Sequence, residues 1–373
     1  MDFSLSKEQQ ELADRCRKFA QNEIGPHVKE FEEDIPKRLA LYQKIAKEGF
    51  FLMALSMDTG AVGYLTALKE LSKVDAGLVV AIAVTNMAAE AIVKFGNEAQ
   101  QKKYLPMIAS GSCVPLSFAL TEKLSGSDAK SIQTSLTEAD GAFILNGEKQ
   151  FISNADIAGA IIVMAKGPKG ISAIIVDRGT PGMTFPKKEN KLGLLTANLV
   201  SIRFENCRIP KENLLGNHGD GLKIALESLD SGRIGIAAQA IGIGEAAYEA
   251  ALSFSKQRQQ FGKPIGENQS IAFRLADMRV KLDAGMLLAY KAAWTKDNGR
   301  PFTLGAAEAK LYCSEICNEI AGDALQIHGG YGYIKDYPAE KYFRDARVTT
   351  LYEGTSEIQR MVISRNLNGP EWT

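Results

Sequence analysis

The feature that most constrains the fold is a change in side-chain periodicity that divides the chain into three parts. Apolar residues recur at helical spacing up to about residue 116, and again from about residue 218 onward. Residues 117–217 instead hold short apolar and β-branched runs separated by Gly, Pro and charged turns, which is typical of a β domain. We therefore predict an α+β chain with an α-helical domain at residues 1–116, a middle antiparallel β domain at 117–217 and a helical domain at 218–373.

The same patterns predict individual elements. Ser6 and Gln9 have the spacing of a capping box, so a helix is expected to begin close to the N-terminus. Asn146-Gly147 stands between two strand-like runs and predicts a two-residue β-hairpin. Further helices are expected at residues 38–50, 64–73, 77–95, 99–110, 220–260, 268–298, 302–328 and 355–368.

Charge and composition exclude several classes of function. Lys plus Arg and Asp plus Glu are both 44, so a broad basic surface for nucleic acid is not expected. The chain has 5 Cys without CxxC spacing and 3 His, which disfavours disulfides and a metal site, although Cys313 and Cys317 could face each other on one helix. The N-terminus lacks the features of a signal peptide, and no apolar run is expected to span a membrane, so we expect a cytoplasmic protein.

Residues 242–247 match the G-x-G-x-x-A form of a dinucleotide-binding fingerprint. That fingerprint binds a pyrophosphate only where a strand leads into the glycines and a helix begins there. Here the glycines lie inside a long helical run, where small residues commonly allow close helix packing. We therefore reject a Rossmann site.

Four other segments combine features of a ligand site. Residues 118–128 run from a strand into a small polar loop, and residues 258–265 join a basic helix end to a Gly/Pro break. Residues 326–333 place three glycines in four positions after a helix, which permits positive φ and close backbone approach to a ligand. In residues 352–360, Glu353 precedes Gly354, and Ser356 with Gln359 again has capping-box spacing.

In this order and at these separations, the four segments resemble the acyl-CoA dehydrogenase family of short- and medium-chain type, and residues 229–240 add a fifth match. The resemblance covers nearly the whole chain. It implies an N-terminal α-helical domain, a middle β domain and a C-terminal four-helix bundle, assembled as a homotetramer. It also implies FAD as the cofactor, an acyl-CoA of fatty acid metabolism as the substrate and an electron-transferring flavoprotein as the acceptor.

The resemblance also assigns binding residues by motif. Those expected to line the isoalloxazine side of FAD are Phe118, Leu120, Thr121, Ser127, Phe151 and Ser153. Those expected at its pyrophosphate and adenine, partly from a neighbouring subunit, are Arg258, Phe261, Gln269, Gln326, Ile327, Gly329 and Gly330. Thr355 and Glu357 are also expected near the cofactor, and Ser127, Asp230, Arg233 and Gly354 near the acyl-CoA.

The catalytic residue implied by the resemblance is Glu353. It would remove the α-proton of the thioester while the β-hydrogen passes as hydride to flavin N5, giving a trans-2-enoyl-CoA. A carboxylate of pKa roughly 4.3 is a poor base for so weak an acid, but burial raises that pKa. Some family branches carry the base immediately before Arg233, where this chain has Gly232, and this favours Glu353. Taken alone, Glu353 would be interpreted as a helix-start carboxylate.

The chain departs from the family pattern in three places. Residues 123–125 replace a usual Pro-x-Ala, Phe151 stands where many members have Trp, and the loop at residues 55–63 is shortened near the acyl pocket. A short- or medium-chain acyl-CoA is the default substrate. The alternatives are an acyl group tethered to a carrier protein, or a catalytically silent flavin-binding relative.

Overall fold

A computed structural model describes residues 4–368, and it confirms the predicted order of helical, β and helical parts. The helices before the sheet are α1 (Lys7–Phe19), α2 (Val28–Glu33), α3 (Ile35–Lys47), α4 (Gly60–Ser72), α5 (Ala76–Phe95) and α6 (Glu98–Ser110). Those after it are α7 (Gly221–Gln257), α8 (Gln269–Asp297), α9 (Thr303–His328), α10 (Ala339–Ala346) and α11 (Ser356–Asn368). The domain limits at 116/117 and 217/218 stay a prediction.

The capping box predicted at the start of the chain is confirmed. The Gln9 N–H donates to Ser6 Oγ at 3.2 Å, and the Ser6 N–H donates to Gln9 Oε1 at 3.0 Å. Two of the free N–H groups at the start of α1 are thereby satisfied by side chains.

The middle part is one sheet of eight strands. Its strands are β1 (Leu116–Ala119), β2 (Ser135–Ala139), β3 (Ala142–Ser153), β4 (Ala160–Gly167), β5 (Gly170–Asp177), β6 (Met183–Lys188), β7 (Leu199–Pro210) and β8 (Leu214–Leu215). Their order is β6-β7-β3-β2-β4-β5-β8, with β1 also beside β4. Most neighbours are antiparallel, as predicted, whereas β1 and one residue of β2 pair with β4 in parallel. A separate small ribbon joins β9 (Gln259–Gln260) to β10 (Lys263–Pro264).

The hairpin predicted at Asn146-Gly147 is wrong. Both residues lie within β3, and Gly147, with φ 139°, stands at a register shift against β7. The tight turn is at Asp140-Gly141, where φ values of 47° and 77° join β2 directly to β3. Asp-Gly suits this turn as well as Asn-Gly does, because both positions need positive φ. The glycine in the strand instead permits a local bulge.

Helix α5 is buried on nearly every side, in agreement with its uniformly apolar sequence. By length and composition alone it could cross a membrane, contrary to the expectation that no apolar run would. However, 78% of its most apolar 18-residue stretch is buried within the fold. It therefore serves as a core helix, and it packs against α4, α7 and β1.

Helix α7 is 37 residues long and packs against α4, α5, α8 and α9. A Cβ at Gly242 would lie 2.5 Å from the Lys69 carbonyl oxygen of α4. A Cβ at Gly244 would lie 3.1 Å from a methyl carbon of Leu282 in α8. These glycines allow close helix packing within a continuous helix, in agreement with the rejection of a Rossmann site.

Candidate active site

A cavity of ≈ 220 Å³ lies where α5, the sheet, α7 and the segment before α11 meet. It contains all six residues expected on the isoalloxazine side, together with Arg233, Glu353 and Gly354. The remaining lining comes from α5 (Val80, Ala83, Val84, Met87), the β domain (Gly126, Ala129, Ile152), α7 (Leu226, Leu229, Gly232, Ile236) and the C-terminal part (Tyr352, Ile358). One cavity thus joins a polar loop, an apolar helix face and a carboxylate.

Glu353 lies in a turn of left-handed backbone between α10 and α11, with φ 55° at Glu353 and 90° at Gly354. A residue with a Cβ rarely adopts this conformation, so the surrounding contacts must hold it. Gln359 Nε2 donates to the carbonyl oxygens of Glu353 at 3.0 Å and of Gly354 at 2.9 Å. Lys310 Nζ donates to the Gly354 carbonyl at 2.7 Å. The turn places the Glu353 side chain in the cavity lining.

The capping box predicted at Ser356 and Gln359 is wrong by one residue. Thr355 Oγ1 accepts the N–H of Ile358 at 3.4 Å, so Thr355 caps α11. Ser356 Oγ instead donates to Glu315 Oε1 of α9 at 2.6 Å. Adjacent Thr and Ser residues can both cap a helix, and the spacing pattern does not distinguish them.

The electrostatic environment of Glu353 suits a base. Burial raises its pKa to about 7, against the opposing effect of the Arg233 and Lys310 charges. Its Oε2 is buried and has no hydrogen-bond partner among residues 4–368. A carboxyl group of this pKa is partly ionised at neutral pH and is a stronger base than an exposed one.

The position before Arg233, Gly232, has no room for a side chain. A Cβ at Gly232 would lie 2.5 Å from Glu353 Oε2. The carboxylate therefore already occupies the space that a side chain at this position of α7 would fill. This geometry supports Glu353, rather than position 232, as the place of the base.

Arg233 and Asp230 form an ion pair. Asp230 Oδ2 also accepts a hydrogen bond from Thr303 Oγ1 at 2.6 Å, and burial raises the pKa of Asp230. Arg233 lines the cavity beside Glu353, whereas Asp230 lines a second cavity of ≈ 660 Å³ between α5, α7 and the start of α9. Of the four residues expected near the acyl-CoA, three line the first cavity and Asp230 lines the second.

Two buried residues that sequence reasoning missed support the polar loop. Lys149 Nζ donates to Glu122 Oε1 at 2.8 Å and to the Leu120 carbonyl at 3.0 Å. Glu122 also accepts the N–H groups of Gln133 at 2.6 Å and Thr134 at 3.0 Å. The pair thereby fixes the strand end that carries Leu120. A sequence signal for this pair existed, since Glu122 lies within residues 118–128 and Lys149 lies two residues before Phe151.

The residues expected at the FAD pyrophosphate and adenine lie elsewhere. Arg258, Ile327, Gly329 and Gly330 line a third cavity of ≈ 390 Å³, and the Arg258 guanidinium lies 5.4 Å from the centre of the Tyr331 ring. A Cβ at either glycine would meet nothing within 4 Å, so the backbone there is open to a ligand. The other residues expected there, Phe261, Gln269 and Gln326, are exposed on the surface, as is Glu357, which is expected near the cofactor.

Within residues 4–368, no three His, Cys, Asp or Glu side chains are grouped as metal ligands. Cys313 and Cys317 are buried on α9 and unpaired, and burial raises the pKa of both thiols. They are therefore core side chains.

Comparison with known proteins agrees with the geometry. Family models for the N-terminal, middle and C-terminal domains of acyl-CoA dehydrogenase match residues 6–112, 117–207 and 219–368. An acyl-CoA dehydrogenase of Bacillus subtilis is 44% identical, and the match covers 98% of this chain and 99% of that protein.

Two solved structures are similar over almost the full length. Butyryl-CoA dehydrogenase from Megasphaera elsdenii has a TM-score of 0.93 at 40% identity, covering 98% of this chain and 100% of that chain. A chain in a structure of the electron transferring flavoprotein of Acidaminococcus fermentans has a TM-score of 0.94 at 42% identity, covering 99% and 100%. This chain therefore belongs to the acyl-CoA dehydrogenase family of FAD-dependent oxidoreductases.

Proposed function

We propose that this chain dehydrogenates a short-chain acyl-CoA thioester, with Glu353 as the base that removes the α-proton. The observation that carries the proposal is the buried Oε2 atom of the partly exposed Glu353 side chain, which has no hydrogen-bond partner in the described part of the chain. It lies in one cavity with the polar loop and the apolar face of α5. A buried polar atom without a partner is costly, so its retention points to a ligand that uses it.

The chemistry follows from the position of this carboxylate. The thioester α-carbon would lie against Glu353, which takes the proton on its carboxylate. A pKa of about 7 makes the ionised form available at neutral pH and raises its basicity. FAD held by the residues that line this cavity would supply the acceptor for the hydride from the β-carbon. Donors to the thioester oxygen would stabilise the developing enolate, and the main-chain N–H of Glu353 is the donor that this chain would supply.

The acyl end of the cavity favours a small uncharged group. Its α5 lining consists of Val80, Ala83, Val84 and Met87, all apolar. The one cation in the lining is Arg233, and Asp230 already pairs with it. A second carboxylate on the acyl chain would therefore find no free counter-ion there, and burying it unpaired would be costly. The similarity to butyryl-CoA dehydrogenase supports the same chain length.

The arrangement of the cavities supports FAD binding across a subunit interface. The residues expected at the flavin ring lie in one cavity, and those expected at the pyrophosphate lie in another. Self-association has a candidate surface on α8, where four large apolar side chains at seven-residue spacing are exposed, namely Phe273, Val280, Leu287 and Trp294. We propose a homotetramer. Light scattering of the flavin-loaded protein tests this, and a monomer that retains FAD would refute it.

The proposed electron acceptor is an electron-transferring flavoprotein, supported by the similarity to the Acidaminococcus fermentans structure. The proposed location is the cytoplasm. Rapid reoxidation of the substrate-reduced enzyme by such a flavoprotein would support the first proposal. Recovery in the membrane fraction after cell lysis would refute the second.

The role of Glu353 is tested with Glu353→Gln, which keeps the side-chain shape and removes the base. Anaerobic flavin reduction by butyryl-CoA should slow by about 10²–10⁴-fold, because a positioned general base contributes a factor of this size. Glu319→Gln is the matched control, since Glu319 is a half-exposed carboxylate on α9 that pairs with Lys281. A Glu353→Gln protein that retains FAD and is reduced at the wild-type rate would refute the assignment.

A further inference from the structure

Lys310 of α9 is a fully buried lysine beside the Glu353 turn. Its Nζ donates to the Gly354 carbonyl oxygen at 2.7 Å, and it forms no ion pair with any of residues 4–368. Lys149, the other lysine with no exposed surface, has Glu122 as an ion partner at 2.8 Å. A buried lysine without a contacting carboxylate is unusual, because an isolated charge loses its hydration. Lys310 therefore requires a functional explanation.

The hydrogen bond of Lys310 fixes the turn that carries Glu353. Both Glu353 and Gly354 have positive φ, and a left-handed conformation at a residue with a Cβ costs of order 1–3 kcal/mol. Gln359 donates to the carbonyl oxygens of both residues, and Lys310 adds a second donor to that of Gly354. The lysine thus anchors the turn from α9, while Gln359 anchors it from α11.

Two positive charges face Glu353, and that of Lys310 has no carboxylate in contact with it within residues 4–368. The other cation facing Glu353 is Arg233 of α7, and Asp230 pairs with Arg233 directly. Tyr64 of α4 and Tyr352 face the carboxylate as neutral phenols, and burial raises the pKa of both.

Lys310 itself is faced by three carboxylates and one cation. Burial lowers the pKa of Lys310 to about 8, which leaves it mostly protonated at neutral pH. Among the surrounding charges Glu353 opposes this fall most, Arg233 adds to it, and Glu315 of the same helix and Glu357 of α11 oppose it more weakly. Neither Glu315 nor Glu357 contacts it. Glu353 is therefore the main counter-charge of this lysine, at longer range than an ion pair.

We propose that Lys310 is a positioning residue for Glu353, which holds the Glu353–Gly354 turn and provides a positive charge that favours the ionised form of the Glu353 carboxylate. The inference rests on the proposed role of Glu353 as the base. Burial raises the pKa of Glu353, and the Lys310 charge opposes that rise. Without this charge the carboxylate would remain protonated to a higher pH, and a protonated carboxyl group cannot accept the α-proton.

The test is the pH dependence of anaerobic flavin reduction by butyryl-CoA. In wild type the rate should rise with pH through a midpoint set by Glu353. In Lys310→Met and Lys310→Gln the midpoint should move up by about one pH unit or more, the size expected for loss of a nearby opposite charge. Lys310→Gln can still donate to the Gly354 carbonyl, so it separates the loss of charge from the loss of the hydrogen bond. Lys310→Arg should restore the midpoint, because it keeps the charge.

Lys149→Met is the matched control, since it removes an equally buried lysine that faces Glu122 rather than Glu353. It should leave the midpoint in place, even where it lowers stability or flavin content. An unmoved midpoint in flavin-loaded Lys310→Gln, or an equal shift in Lys149→Met, would overturn the proposal. Glu353→Gln distinguishes failure of the role proposed for Glu353 from failure of the role proposed for Lys310. If that variant reduces the flavin normally, the role of Glu353 fails; if it is inactive and the midpoint is unmoved, only the role of Lys310 fails.

Discussion

Replacing Glu353 by Gln should stabilise the protein at alkaline pH while it abolishes the reaction. Burial raises the pKa of Glu353 from an ordinary 4.5 to about 7, so the folded state prefers the protonated carboxyl group. At about 1.4 kcal/mol per pKa unit, this difference is worth about 3 kcal/mol. The sign follows from linkage: that stability is fully present below pH 4.5 and is lost as the pH rises through 7. Gln does not ionise, so the variant escapes this loss.

The assay is calorimetric melting of the flavin-loaded wild type and variant at pH 5 and pH 8. The difference in stability between the two proteins should grow by about 2.5 kcal/mol over this interval. With an unfolding entropy of roughly 2.1 cal/mol/K per residue, a chain of 373 residues should show a relative gain in Tm of about 3 °C. A Tm difference that is the same at both pH values would refute the inference that Glu353 is buried with a raised pKa.

Three other substitutions give distinct expected outcomes. Gly232→Ala places a Cβ 2.5 Å from Glu353 Oε2, so the carboxylate should be displaced and flavin reduction should slow by about 10²-fold. An unchanged rate in stopped-flow measurements would contradict this. Lys149→Met leaves Glu122 buried without its ion partner, which should lower the free energy of unfolding by about 3–5 kcal/mol and lower the Tm. A variant as stable as wild type would refute the structural role of the pair. Gly354→Ala places a Cβ on backbone of φ 90° and 2.7 Å from Gln359 Nε2. It should lower the free energy of unfolding by about 1–2 kcal/mol and slow flavin reduction. Wild-type stability together with a wild-type rate would argue against a constrained turn.

Periodicity predicted most of the helices because a long apolar pattern averages over many residues. The helix predicted at 77–95 is found at Ala76–Phe95, and that predicted at 302–328 is found at Thr303–His328. Turn signals are only two residues long, and tertiary pairing decides between competing ones. Asn146-Gly147 and Asp140-Gly141 both suit a hairpin, and only the pairing of β3 with β7 shows that the first pair lies inside a strand.

The candidate site was predictable where its residues follow one another in the chain. Residues 118–127 and 352–354 each form a contiguous motif, and the family resemblance assigned both motifs to the cofactor and substrate site. Both segments line the same cavity. Lys310 escaped prediction because a single lysine in a helical pattern is usually solvated, and only the fold brings it to the Gly354 carbonyl. The separation of Arg233 from Asp230 into two cavities likewise depends on which face of α7 each residue occupies.

The central claim is tested most directly by anaerobic titration of the purified flavin-loaded protein with a panel of acyl-CoA thioesters of increasing chain length. Butyryl-CoA and its short neighbours should bleach the oxidised flavin band, whereas long-chain and dicarboxylic thioesters should do so poorly. Glu353→Gln should be bleached far more slowly than wild type. Bleaching by a carrier-protein-bound acyl group but by no CoA thioester would contradict the proposed substrate. A protein that neither carries nor takes up FAD would contradict the account as a whole.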